Sequence, residues 1–153
     1  MDTQCSSRKT MTPDQTKHLE FIQSVVTRMN TNSFQLKGWS ITLVSALLAL
    51  VASTNNIHFI LVALFPVFVF WYLDAYYLMQ ERKFRGLYSD VAGHTEDPKK
   101  IKTYEMRPDL YTKAEYSYGR SFISPTIIGL YLSLALGLIA LYLILNCNTT
   151  EGI

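Results

Sequence analysis

Three long stretches of this sequence are almost free of charged residues, and they restrict the fold more than any other feature. They cover residues 38–54, 57–73 and 125–145. A helix needs about 20 apolar residues to cross the hydrocarbon core of a bilayer, with about 17 as the lower limit. One such stretch could be a buried helix of a soluble protein, but the rest of a 153-residue chain could not cover three. The sequence therefore predicts an all-α integral membrane protein with three membrane-spanning helices.

The positive charges are segregated along the chain. All 14 Lys and Arg residues lie either before residue 38 or between residues 79 and 121, and the stretches 54–56 and 146–153 contain none. Lys and Arg are concentrated in cytoplasmic loops of membrane proteins. This pattern predicts a cytoplasmic N-terminus, a tight external turn between the first two spans, and an external C-terminal tail.

This topology divides the chain into six segments. We expect a disordered N-terminus at 1–11, an amphipathic cytoplasmic helix at 12–37, a transmembrane hairpin at 38–78 with helices at 38–54 and 57–78, a basic and tyrosine-rich cytoplasmic segment at 79–121, a third span at 122–145, and an external tail at 146–153. The first span is expected to extend N-terminally as a long cytoplasmic helix. The second is expected to extend into the cytoplasm and to end at Gly93.

The start of the first helix carries a capping signature. Thr12, Pro13 and Gln15 fit an N-cap, a first helical position and a capping box. The following residues keep the alternating three- and four-residue steps of a heptad repeat: Leu19, Ile22, Val26, Met29, Ser33, Leu36, Ser40, Leu43, Leu47 and Leu50. This repeat predicts one helix with a packed seam that runs into the bilayer. A helix lying on the membrane surface is the alternative.

Two of the spans carry stripes of small and hydroxyl side chains. The stripe of the first span is Gly38, Thr42, Ser45, Ala49 and Ala52, and that of the third is Gly129, Ser133 and Gly137. Small residues allow helices to approach closely in lipid. The stripes could serve packing within one chain or an interface between copies. We select Thr42 and Ser45, together with Ser33, as candidate pore or interface residues.

Asp74 lies near the cytoplasmic end of the second span. A carboxylate inside a membrane segment is a functional hypothesis by default, so Asp74 is also a candidate pore or interface residue. The simpler explanation is structural, because Trp71 and Tyr72 beside it are typical of a membrane interface. Asp74 would then sit at headgroup depth and pair with Lys37 or Arg82.

The residue patterns do not favour an enzyme. The three histidines, His18, His58 and His94, fall in different parts of the predicted topology and have no Cys or carboxylate at metal-ligand spacing. The sequence contains no glycine-rich phosphate loop and no nucleophile motif. We therefore expect no catalytic residues, no metal site and no cofactor.

The segment 79–121 combines cations with tyrosines. Cations that follow phosphates, with rings that stack on bases, make up a single-stranded nucleic-acid site. The candidate ligand-binding residues are Arg82, Lys83, Arg85, Lys99, Lys100, Lys102, Tyr104 and Arg107, with Lys113 and Arg120 further along the same surface. From composition alone, contact with anionic lipid headgroups is the simpler interpretation.

Two motifs resemble a known family. They are R-M-N-x-N-S-F-x-x-K-G-W at 28–39 and W-Y-L-D-A-Y-Y-L-x-Q-E-R at 71–82. Together with the start of the third span, they resemble small bacterial membrane proteins encoded beside nucleotidyltransferases, in particular the membrane effectors of Hailong-type anti-phage defence. The resemblance covers about half of the chain.

The resemblance implies a homotetrameric ion channel in the bacterial inner membrane. In the topology predicted from the charges, its C-terminus lies in the periplasm. A DNA oligomer made by the partner nucleotidyltransferase would hold the channel shut, and its loss during infection would depolarise the cell. The resemblance assigns no pore residues. Two other hypotheses stay open: a non-conducting anchor that recruits a soluble partner, and a constitutive pore-forming toxin.

Overall fold

The computed structural model describes residues 11–54 and 56–151, with side chains as far as residue 147. Over these ranges the chain is helical, without strands. The elements are α1 (Pro13–Thr54), α2 (His58–Ala92), two 3₁₀ turns (Pro108–Leu110 and Ala114–Tyr116), a short α3 (Tyr118–Phe122) and α4 (Pro125–Glu151). Three helices, α1, α2 and α4, are long and apolar enough to cross a membrane. This confirms the predicted all-α class with three candidate spans.

The helix boundaries follow local chemistry. The Thr12 N–H donates to Gln15 Oε1 at 3.0 Å, and the Gln15 N–H donates to Thr12 Oγ1 at 3.3 Å, which is the reciprocal capping box. At the end of α2, Gly93 adopts φ 75°, a left-handed conformation that glycine reaches without a Cβ clash. The helix α4 continues past the predicted boundary at residue 145, and most of the segment predicted as disordered, residues 1–10, lies outside the described residues.

The helices α1 and α2 form one antiparallel hairpin along their whole length. Near the turn, Val51 and Ile60 belong to a single buried cluster. At the opposite end, Ile22 and Val26 of α1 pack with Leu87 of α2. The apolar face of residues 13–36 is therefore covered by α2, as the packed-seam interpretation requires.

The seam of α1 departs from the predicted heptad in its second half. Up to Ser40 the predicted positions are buried or half-buried, but Leu43 and Leu50 are each 44% exposed, and Val44 and Val51 are buried instead. A straight α-helix drifts by about 20° per heptad from a strict 3.5-residue repeat. Over three heptads this drift adds up to about 60°. The residue that follows each predicted heptad position then faces α2 more closely than the predicted position does. The prediction that Leu43 and Leu50 continue the seam was wrong for this reason.

The helix α4 packs against α2 through Ile127, Tyr131 and other residues of the main core. An aromatic stack fixes this junction. The ring of Trp71 lies 4.7 Å from that of Phe122 at an interplanar angle of 2°, and its Nε1–H donates to the Phe122 carbonyl at 3.2 Å. The start of α4 is thereby held beside the middle of α2.

Both stripes of small residues point away from the chain's own core. Thr42 and Ser45 are exposed, and a Cβ added at Gly38, Gly129 or Gly137 would meet no atom within 4 Å. Among the described residues these stripes therefore take no part in packing within the chain.

Candidate functional sites

Polar side chains come together at two sites in the structure. The first site lies between α1 and α2. Ser33 Oγ donates a hydrogen bond to Asp74 Oδ1, and Lys37 Nζ lies 2.6 Å from Asp74 Oδ2. Lys37 also donates to Ser33 Oγ at 2.7 Å. The Asp74 side chain is 0% exposed, whereas that of Lys37 is 24% exposed. Of the two predicted partners of Asp74, the structure selects Lys37.

The hydroxyl of Tyr131 in α4 interacts electrostatically with the same carboxylate but makes no hydrogen bond of standard geometry. The buried ion pair thus touches all three long helices. Two of the predicted pore or interface residues, Ser33 and Asp74, are brought together here. The other two, Thr42 and Ser45, lie on a different face of α1.

The second place is built by the segment 93–121, which folds back onto α2. Tyr111 is 3% exposed and packs with Ile22, Val26 and Leu87. Gly86 allows this approach, because a Cβ there would lie 2.7 Å from Tyr116 Oη and 2.8 Å from Tyr111 Cδ1. A side chain at position 86 would push both rings away from α2.

Asp90 ties the segment to α2 by polar contacts. The Tyr111 hydroxyl donates to Asp90 Oδ2 at 2.5 Å, and the Lys99 N–H donates to the same oxygen at 3.4 Å. The Lys99 ammonium lies 4.0 Å from the centroid of the Tyr111 ring and donates to the Leu110 carbonyl. Asp90, Lys99 and Tyr111 therefore form one connected unit.

These contacts shift the pKa values of Asp90 and Tyr111. Burial alone would raise the pKa of Asp90, but hydrogen bonds from Tyr111, Thr95 and Lys99 and the charge of Lys99 hold it below its usual value. Burial, followed by the hydrogen bond to Asp90, raises the pKa of the Tyr111 phenol far above its usual value. The unit is therefore held as a carboxylate and a neutral phenol at physiological pH.

Beside this unit lies an open groove of about 540 Å³, which we call the basic groove. Its lining includes three carboxylates, the rings of Tyr111 and Tyr116, and five cations, namely Arg82, Arg85, Lys99, Lys113 and Arg120. Arg85 is bound to Glu81 at 2.6 Å, whereas Lys113 and Arg120 have no ion pair among the described residues. Exposed cations beside the half-buried ring of Tyr116 suit a phosphate-bearing ligand.

The predicted ligand residues separate into two groups. Arg82, Arg85 and Lys99 line the basic groove, and Lys100 lines a neighbouring cavity. The other four, Lys83, Lys102, Tyr104 and Arg107, are not part of the groove lining. Lys113 and Arg120, which the sequence placed further along the same surface, complete the cations of the groove.

Arg107 and Tyr104 are engaged elsewhere. Arg107 pairs with Asp109 at 2.9 Å and with Glu105 at 3.8 Å. The Tyr104 hydroxyl donates to Asp14 at 3.2 Å, and its ring lies 5.9 Å from that of His18. Tyr104 therefore attaches the segment 93–121 to the start of α1, and the structure gives no support for a base-stacking role.

Among the described residues, no three His, Cys, Asp or Glu side chains lie close enough together to hold a metal ion. Comparisons with protein families, with curated proteins and with solved structures give no match to this chain. The features of the chain that bear on its function are therefore the ion pair, the exposed stripes and the basic groove.

Proposed function

We propose that this protein is a membrane effector of bacterial anti-phage defence that assembles into a gated ion channel in the inner membrane. In this proposal the channel is a homotetramer without enzymatic activity, and it is regulated by a DNA oligomer from a partner nucleotidyltransferase. Phosphates of that oligomer bind in the basic groove. Opening of the channel depolarises the cell.

The observation that carries the proposal is the exposed small-residue face of α1. Thr42 and Ser45 lie in the apolar half of the hairpin, on a face that neither α2 nor α4 covers. Hydroxyl-bearing side chains gain little from contact with lipid tails, and small residues favour close approach of helices. Several copies arranged with this face inward would form a path lined by hydroxyl groups, which three helices alone cannot form.

The distribution of charge supports the orientation. The start of α1, the end of α2 and the segment 93–121 lie together at one end of the molecule, which we call the polar end. They contain the Lys and Arg residues of the described chain except Lys37, which lies at the boundary with the apolar half, and the turn at residue 56 contains none. The positive-inside rule therefore puts the polar end in the cytoplasm and the end of α4 in the periplasm.

The continuity of α2 supports regulation by a ligand. One uninterrupted helix of 35 residues carries groove residues at one end and apolar residues of the candidate span at the other. Between them, Asp74 holds α2 to α1 through Lys37. A ligand that pulls on Arg85 shifts α2 against α1 at this pair, and the shift reaches the face of α1 that lines the path.

The test is current across planar bilayers that contain the purified protein, with and without single-stranded oligodeoxyadenylate. We expect conductance that the oligomer suppresses, and a Ser45→Leu variant that binds the oligomer but conducts less. A matched control is Leu61→Met, on an exposed apolar face of α2. Absence of current in both conditions would remove the channel proposal.

A second candidate is a non-conducting anchor for a soluble partner. It is favoured by Phe21 and Phe34, which are 56% and 77% exposed on the polar half of α1. In that case Phe21→Ser would abolish recruitment of the partner to membranes. Expression of the wild-type protein would leave the membrane potential unchanged, which separates the anchor from the channel.

A further inference from the structure

Arg82 has an unusual environment for an arginine. It is half-buried, and its guanidinium donates to two serine hydroxyls, Ser121 Oγ at 3.5 Å and Ser124 Oγ at 3.2 Å. Both serines are buried, at 0% and 5% exposure. The four ion pairs formed by the described residues do not include Arg82. A partly desolvated guanidinium is therefore left without a counter-charge.

The surroundings of Arg82 add positive potential. The long helix α4 begins directly after Ser124, so the positive end of its dipole lies beside the guanidinium. Arg120 lines the same groove and forms no ion pair with the described residues. Two cations that line one open space, one of them held against the start of a helix, are complementary to an anion.

The position of Arg82 along α2 indicates how deep in the membrane an anion bound there would lie. The apolar segment of α2 ends at Leu78. Arg82 lies four residues further along the chain, which is about 6 Å of helix. On the adjacent helix, Ser124 directly precedes the apolar α4. The Tyr118 hydroxyl, which donates to the Tyr72 carbonyl at 3.0 Å, belongs to a cluster of tyrosines typical of the headgroup region.

We propose that Arg82, held in place by Ser121 and Ser124, binds together with Arg120 the phosphate of an anionic phospholipid in the cytoplasmic leaflet. This proposal rests on the orientation given above, with the polar end in the cytoplasm, but not on conductance or on the oligonucleotide. The lipid phosphate replaces the missing counter-charge of Arg82. Its glycerol backbone then lies at the junction of α2 and α4, and its acyl chains follow their apolar faces.

The site differs from the outer part of the basic groove. Arg85 and Lys113 line the groove and are exposed to water, where a soluble ligand arrives. The Arg82 guanidinium is half-buried and held against two buried serines beside the start of the apolar α4. The groove therefore offers a place for a lipid phosphate at Arg82 and a place for other phosphates at Arg85 and Lys113.

The test is lipid retention by the full-length protein, measured by native mass spectrometry after purification in a zwitterionic detergent. The added probes are phosphatidylglycerol, phosphatidylcholine and inorganic phosphate in separate samples. We expect the wild-type protein to retain phosphatidylglycerol in preference to phosphatidylcholine. R82Q should retain it about tenfold less, because charge-assisted hydrogen bonds are lost. R107Q, at a position outside the groove lining and paired with Asp109, is the matched control and should behave as wild type.

Three results would overturn the proposal. They are equal phosphatidylglycerol retention by R82Q and wild type, equal retention of both lipids by wild type, and displacement of the lipid by millimolar inorganic phosphate, which would assign the site to a soluble anion. If R82Q loses its helical circular dichroism, R120Q decides instead, because Arg120 is the exposed cation of the same site. R120Q removes a charge that the phosphate would contact, so reduced retention supports the site and unchanged retention overturns it. These measurements use neither current nor an oligonucleotide, so their failure is distinguishable from failure of the channel proposal.

Discussion

The ammonium of Lys37 lies 2.6 Å from the buried carboxylate of Asp74, and this contact joins α1 to α2 where the apolar and polar halves of the hairpin meet. A buried charge without its partner is costly in a medium of low dielectric constant. Ser33 donates a hydrogen bond to one carboxylate oxygen, and the Lys37 ammonium forms an ion pair with the other. The pair therefore sets the register of the two helices.

Removal of Lys37 should destabilise the protein strongly. Lys37→Met leaves Asp74 buried without a counter-charge, and we expect a loss of about 3–5 kcal/mol in the free energy of unfolding. The double variant Lys37→Met/Asp74→Leu should recover most of this loss, because no charge is left buried. Unfolding in detergent, followed by circular dichroism, measures both. A double variant as unstable as Lys37→Met would show that the pair does not act as a unit.

Cations inside and outside the basic groove should differ in their effect on ligand binding. We expect Arg85→Gln and Lys113→Gln to weaken binding of oligodeoxyadenylate and to reduce the slope of log affinity against log salt by about 0.7 for each lost phosphate contact. Arg107→Gln removes a charge of the same sign outside the groove and should change neither quantity. Titrations at two or more salt concentrations make the comparison. Equal effects at all three positions would indicate nonspecific attraction.

Gly86 should be intolerant of a side chain. Gly86→Ala places a methyl group against Tyr111 and Tyr116, so we expect the segment around residues 108–116 to detach from α2. Hydrogen exchange of this segment should then increase while that of α4 stays unchanged. Gly119→Ala is a control, because its nearest neighbouring atom, Ser117 Oγ, is 4.0 Å away. Unchanged exchange in Gly86→Ala would contradict the close packing.

Attachment of this segment should depend on pH at both extremes. The folded pKa of Asp90 lies below its usual value of 3.8, so its stabilising contribution is complete above pH 3.8 and is lost as the pH falls through the folded pKa. The folded pKa of Tyr111 lies above its usual value of 10.0, so its contribution is complete below pH 10 and declines as the pH rises. The near-ultraviolet circular dichroism of the tyrosines should therefore decrease both at low pH and at high pH. Asp90→Asn should remove the acid limit, and Tyr111→Phe the alkaline one.

The exposed glycines should matter only between chains. We expect Gly38→Leu and Gly129→Leu to leave the helical content unchanged, because neither position meets atoms of its own chain. At least one of them should reduce the mass of the purified assembly, measured by light scattering in detergent. If both variants keep the wild-type mass, the small-residue stripes are not the interface between copies.

The sequence predicted those parts of the fold that local chemistry decides. The capping box at Thr12, the helix end at Gly93 and the helix start at Pro125 depend on residues close together in the chain. The three apolar stretches likewise indicated the number of candidate spans. The heptad failed beyond Ser40, because a fixed repeat does not include the drift of a straight helix.

The composition of the groove could not be predicted in the same way. Whether a cation of segment 93–121 faces the groove depends on how Tyr111 and Tyr116 dock against Gly86, which is a tertiary contact. Lys113 reaches the groove through this docking, whereas Arg107 turns to Asp109. Gly86 itself was a signal, because a glycine inside a helix is about 1 kcal/mol less favourable than alanine, which points to a position without room for a side chain.

The stacking of Trp71 on Phe122 makes the chain well suited to optical measurement. The sequence has two tryptophans, and the other, Trp39, is 63% exposed. A Trp39→Phe variant would therefore leave one indole, located where α4 begins against α2 and hydrogen-bonded to the Phe122 carbonyl. Its emission wavelength would report whether that junction stays closed, in real time and without any attached dye.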